Sequence, residues 1–124
     1  MKLFFHLVLK QTYYDNVRLR FLPTSKNFDP LYLKTKYKKQ FNEEAKGLLE
    51  KTDWYVIKAT DVESYSVPSD ISTYRTQVRA KVNSMETDID NCSTVEELIT
   101  LLTYTIDSEG VSSRPLGEFP DEVV

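Results

Sequence analysis

Reactive and metal-binding side chains are scarce in this chain of 124 residues. It contains one cysteine, Cys92, and one histidine, His6, which lie far apart in the sequence. A lone cysteine forms neither a disulfide within the chain nor a zinc site of several thiolates, and it is consistent with synthesis in a reducing, intracellular compartment. The sequence therefore gives no support to a catalytic Cys–His pair.

The motifs of several common catalytic and cofactor sites are also missing. The chain has no G-x-G-x-x-G, no phosphate-binding P-loop and no H-E-x-x-H. Asp53, Asp61 and Glu63 offer oxygen ligands to a cation, but they lack the spacing of an EF-hand, and we interpret them as solvated loop residues. We therefore predict a protein that is not an enzyme, with no catalytic residues, no metal and no cofactor.

Long hydrophobic runs are absent as well. No run of about 18 apolar residues occurs, so no segment is predicted to cross a membrane. The N-terminal MKLFFHLVLK has the composition of a short signal peptide, but Lys10 interrupts the apolar run and no small-residue cleavage site follows. We interpret this segment as a β-strand of a single domain with one modest core.

Charge is divided unevenly along the chain. Residues 1–60 carry twelve Lys and Arg against six Asp and Glu, whereas residues 61–124 carry four against thirteen. Opposite charges of this size favour contacts across a fold or between copies, so we predict a homo- or hetero-oligomer. The basic run KTKYKK, at 34–39, offers phosphate contacts and a tyrosine for stacking on a base. In an acidic protein we interpret it instead as a solvated helix start, and nucleic acid is not expected as a partner.

Periodicity predicts an α+β fold. Alternating apolar residues in 1–22 predict two β-strands, as a hairpin or a strand pair. Helical spacing predicts three helices, with the second and third forming a helical hairpin over 69–105. The predicted domain spans residues 1–106, with its helices at 36–51, 69–90 and 94–105. Residues 107–124 hold two prolines, two glycines and few large apolar side chains, which predicts an extended tail.

The most regular pattern lies in the second predicted helix. Its apolar residues recur at separations of 3, 4, 4, 3 and 4, and they are Ile71, Tyr74, Val78, Val82, Met85 and Ile89. This stripe has the width of a helix-on-helix seam, so we predict that it is buried against the third helix or a partner chain. Ser93 and Glu96 match a capping box, which predicts the start of the third helix.

The middle of the chain resembles a known family. Reading from residue 48 to residue 79, the sequence contains L-L-x-x-T-D-W, then a loop, a proline and Y-R-x-x-V-R. This order is similar to the small tail proteins of tailed bacteriophages, known as tail fibre assembly proteins or tail assembly chaperones. The residues that carry the resemblance are Leu48, Leu49, Thr52, Asp53, Trp54, Pro68, Tyr74, Arg75, Val78 and Arg79, with Gly117, Phe119 and Pro120 resembling a closing G-x-F-P.

The resemblance implies a phage tail protein, with two departures. Two helical stretches separate Y-R-x-x-V-R from the F-P pair, and the family's terminal Trp-Pro is not present. We therefore favour a structural component of the virion tail that contacts fibre or baseplate proteins and is made in the host bacterial cytoplasm. The alternative is a tail fibre assembly chaperone that is not retained in the virion.

The motif has two physical interpretations. Trp54, Tyr74 and Val78 can form part of the chain's own core, or Trp54 and the tyrosine-rich loop can anchor an interface. In the tail, apolar residues are spaced like anchors on an extended peptide that docks on another protein or on a neighbouring copy. The interface candidates are Trp54, Tyr55, Tyr65, Arg75, Arg79, Leu116, Phe119 and Val123.

Overall fold

The computed structural model of the chain describes residues 29–123, which fold mainly into four helices. They are α1 (Pro30–Glu50), α2 (Asp53–Asp61), α3 (Ser69–Asp90) and α4 (Val95–Leu102). A short antiparallel hairpin follows, in which β1 (Thr105–Ile106) pairs with β2 (Ser112–Ser113). The predicted α+β class is therefore wrong for the part of the chain that the structure describes, because its only sheet is this two-stranded hairpin. The strands predicted at 1–22 lie outside the described residues.

The first helix begins six residues earlier than the apolar spacing predicts. Asp29 is the N-cap, and its side chain accepts a hydrogen bond of 2.9 Å from the amide of Leu31. Pro30 takes the first helical position, where its missing amide hydrogen is not needed. Pro30 is thus the first residue of α1.

The short helix α2 occupies a segment that was predicted as a loop. It follows α1 after a two-residue turn and contains no buried residue. Its sequence, DWYVIKATD, therefore lacks the stripe of core-facing residues by which an amphipathic helix is recognised.

The predicted seam on α3 is buried along its whole length. All six of its apolar residues lie in the core, so the predicted burial is confirmed. The main partner, however, is α1, which runs beside α3 and contributes Phe41 and Ala45. The helix α4 adds Leu98 and Leu102 to the same core. The helical hairpin predicted over 69–105 is thus one part of a three-helix arrangement.

The predicted extended tail is also wrong, because residues 107–123 fold back on the helices. Asp107 accepts hydrogen bonds from the amides of Glu109 and Val111, and Gly110 turns the chain with a φ of 82°. Beyond β2, Leu116 is 0% exposed, and its amide donates to the carbonyl oxygen of Leu101. Residues 114–123, called the C-terminal strap below, therefore complete the core. The helices supply the apolar surface that the strap lacks when it is considered alone.

Candidate protein interaction site

The guanidinium of Arg75 joins α3 to the junction between α1 and α2. Its Nη1 donates to the carbonyl oxygen of Leu49 and to Oγ1 of Thr52, both at 2.8 Å. Its Nη2 lies 2.9 Å from Oδ1 of Asp53, with the Arg75 side chain 9% exposed and that of Asp53 47% exposed. The T-D and Y-R parts of the motif therefore meet in one network, which sets the position of α2.

The outer side of α2 is apolar and open. Trp54 is 52% exposed and Ile57 is 61% exposed, and the two lie three positions apart on one side of the helix. These two residues are called the α2 surface below. Val56 and Val62 are also exposed, but Val56 lies two positions from Trp54 on another side of the helix and Val62 follows its last residue. Singly exposed apolar residues are common, but two large ones side by side form a patch of the kind that marks interaction sites.

The rings of Trp54, Tyr55 and Tyr65 make contacts within the chain. The ring centroids of Trp54 and Tyr55 lie 4.1 Å apart. Nζ of Lys58 lies 4.3 Å from the centroid of Tyr65 and 5.7 Å from that of Trp54. Such cation–π contacts limit ring motion before a partner arrives, which lowers the entropic cost of binding.

A cleft of about 200 Å³ lies at the base of Trp54. Its apolar and aromatic walls come from α1, α2, α3 and the strap, and the residues are Leu48, Trp54, Tyr55, Tyr74 and Val123. At the rim, Nζ of Lys51 lies 2.5 Å from Oε1 of Glu122, and this contact raises the pKa of the Lys51 ammonium. Burial raises the pKa of the Tyr74 hydroxyl. The cleft is suited to an apolar side chain.

The strap is fixed at its other end by Arg114. The Arg114 guanidinium lies 5.3 Å from the centroid of Phe41 and 4.8 Å from that of Tyr104, and its Nε donates to the carbonyl oxygen of Gly117 at 3.0 Å. The hydroxyl of Tyr104 donates to Glu118. Burial, and then this hydrogen bond, raise the pKa of Tyr104 to about 12.

The eight interface candidates do not form one surface. Trp54, Tyr55 and Val123 meet at the cleft, and half-buried Tyr65 lies beside Lys58. The others are separate: Arg79 is exposed on α3, Arg75 and Leu116 are buried within the chain, and Phe119 packs against the core. An interface role stays a prediction, and the exposed members are the ones that a partner can reach.

Sequence reasoning missed Ile57 and Lys58, the two residues that extend the surface around Trp54. Their signal is present in the sequence, since they follow Trp54 by three and four positions and share its side of a helix. The signal is usable only once this segment is known to be helical.

Two lysines of the basic run at 34–39 also join α1 to α3. Nζ of Lys34 donates to the carbonyl oxygen of Asp90, and Nζ of Lys38 donates to the Asp90 carboxylate, at the carboxyl end of α3.

Within residues 29–123, no cluster of three or more His, Cys, Asp or Glu has the arrangement of a metal site. In the same range, no helix has both the length and the apolar composition needed to cross a bilayer. The chain matches no protein-family model, no curated protein and no solved structure.

Proposed function

We propose that the chain is a non-enzymatic bacteriophage tail protein, a structural component of the virion tail that acts through protein–protein contacts. The α2 surface is the part that docks on a fibre or baseplate protein. The single observation that carries this proposal is the open apolar side of α2, where Trp54 is exposed at the edge of a cleft and Ile57 is exposed one turn further along the helix.

The chemistry of the surface supports a protein partner. Tryptophan and tyrosine contribute large contact areas and are enriched among the residues that dominate binding energy. The rings of Trp54 and Tyr55 are already in contact, tilted by 31°, and the Arg75 network holds the start of α2 against α3. A rigid, aromatic surface next to a cleft is suited to receiving a projecting apolar side chain from a partner.

The resemblance to phage tail proteins supplies the biological context. Most of its residues have internal roles here: Leu49, Thr52, Asp53 and Arg75 form the network at the α1–α2 junction. Trp54 differs from them, because half of its surface remains exposed. Within the motif, Trp54 is therefore the residue best placed for contact with another protein.

A tail fibre assembly chaperone is the second candidate. The same α2 surface serves either function, since a chaperone also covers apolar surface on its client. The two differ in whether the chain stays in the finished particle.

Photo-crosslinking in purified particles tests the proposed contact. A benzophenone amino acid replaces Ile57 on α2, and in a control protein it replaces Thr76, which is exposed on α3. We expect adducts with a fibre or baseplate protein from position 57 and few from position 76. Equal yields from both positions, or adducts with no tail protein, would contradict the assignment of the α2 surface.

A further inference from the structure

The last residues of the strap form one wall of the cleft beside Trp54. Glu122 and Val123 line the cleft together with Leu48 and Tyr74, which otherwise belong to the edge of the core. Val123 therefore covers apolar surface that would continue the α2 surface if the strap moved away. The chain's own strap is the occupant of this part of the cleft.

The two ends of the strap are held very differently. Near its start, Leu116 is completely buried, and the Arg114 side chain is only 6% exposed. Near its end, the polar attachment is the Lys51–Glu122 ion pair, whose side chains are 63% and 45% exposed. An exposed ion pair of this kind shifts an equilibrium by a factor of at most about five. The end is thus much easier to release than the start.

We propose that residues 120–123 are a gate over the cleft, whose closed state is favoured by the Lys51–Glu122 ion pair and whose open population rises when that pair is broken. Opening uncovers Leu48 and Tyr74 next to Trp54, so the apolar surface available to a partner becomes larger. The part of the strap around Leu116 stays in place during this motion. The claim that the gate regulates partner binding rests on the proposed function. The claim that the gate opens and closes in the isolated chain does not.

A charge-reversal cycle tests the gate in the isolated, full-length protein. The variants are Lys51→Glu, Glu122→Lys and the double variant that restores the pair in reversed order. The NMR resonances of the Val123 methyl groups measure opening, because in the closed state these groups lie in a cleft walled by the rings of Trp54 and Tyr74, whose ring currents shift the resonances. We expect each single variant to raise the open population roughly fivefold and to move these resonances towards their values in an unfolded peptide, because attraction is lost and repulsion is added, and the double variant to return them close to the original.

The chain provides a matched control. Lys46 lies on the same helix and forms an exposed ion pair with Glu50, 3.9 Å away, without lining the cleft. Lys46→Glu should leave the Val123 methyl resonances unchanged, and 0.5 M salt should move them in the original protein in the same direction as the single variants, by screening the Lys51–Glu122 pair. Unchanged Val123 methyl resonances in both single variants, or no recovery in the double variant, would overturn the gate.

The regulatory role is tested separately, by the amount of Glu122→Lys protein in purified particles when expression is limiting. We expect an increase over the original protein of up to about fivefold, the expected rise in the open population. If the gate opens but incorporation does not rise, the gate does not regulate binding. If the original protein is itself absent from particles, the proposed function fails, and the charge-reversal cycle still decides whether the gate exists.

Discussion

Replacing Leu116 with alanine is expected to destabilise the fold strongly, although the residue lies near the end of the chain. Leu116 is 0% exposed, and it belongs to the same core cluster as Phe41, Val78 and Leu102. Leu116→Ala keeps the backbone hydrogen bond to Leu101, so the substitution isolates the contribution of the side chain.

The expected cost follows from the size of the deletion. Three carbon atoms leave an apolar site, and at about 0.8 kcal/mol per buried carbon their transfer contributes about 2.4 kcal/mol. Incomplete collapse of the surrounding core adds a cavity term, which brings the loss of unfolding free energy to about 3–4 kcal/mol. For a domain of this size, each kcal/mol lowers the melting temperature by roughly 4 °C.

Urea unfolding followed by far-UV circular dichroism measures this change. Val111→Ala is the matched control, because Val111 lies in the same C-terminal region but is exposed, and we expect a change below about 0.5 kcal/mol. If Leu116→Ala unfolded at the same urea concentration as Val111→Ala, Leu116 would not be part of the core and the strap would be a detachable arm.

Three further substitutions test other parts of the fold by the same assay. Arg75→Met should cost about 1–3 kcal/mol by removing the two buried hydrogen bonds and the ion pair that join α3 to the α1–α2 junction, whereas exposed Arg79→Met should cost little. Ile89→Asp should cost several kcal/mol by placing a charge in the seam, and a melting temperature equal to that of the exposed control Ala80→Asp would refute the seam. Because the folded state raises the pKa of Tyr104 from 10.0 to about 12, its contribution to stability is complete below about pH 10 and is lost as the pH rises through 12. Tyr104→Phe should remove that part of the alkaline pH dependence, and identical pH profiles would refute the assignment.

The long helix α3 was predictable because its information is local. Its apolar residues recur at helical spacing over five turns, and Pro68 and Ser69 mark its start. The choice of α1 as its main partner was not predictable in this way, because spacing shows which face of a helix is apolar and not what covers it.

The strap and α2 depended on tertiary contacts that no local pattern contains. The strap is polar and rich in turn residues, and it is ordered because Leu116 enters a site made by helices distant in the sequence. The segment of α2 is apolar on several sides, so its periodicity is weak. Its orientation depends on Arg75, which lies more than twenty residues further along the chain.

Part of the candidate site was nevertheless visible in the sequence. The sequence indicates Trp54 through the motif and Tyr55 through the tyrosine-rich segment that follows it, and both lie at the cleft. Arg75 was selected from the same motif, but it satisfies its donors within the chain. A motif shows that residues belong together, while burial decides which of them a partner can touch.

Quantitative mass spectrometry of purified phage particles tests the proposed function most directly. We expect the chain at a fixed ratio to the fibre or baseplate proteins, reduced severalfold by Trp54→Ala and unchanged by Val111→Ala, since both residues are exposed but only Trp54 lies on the α2 surface. A chain that is abundant in producing cells and absent from purified particles would contradict a structural role in the tail.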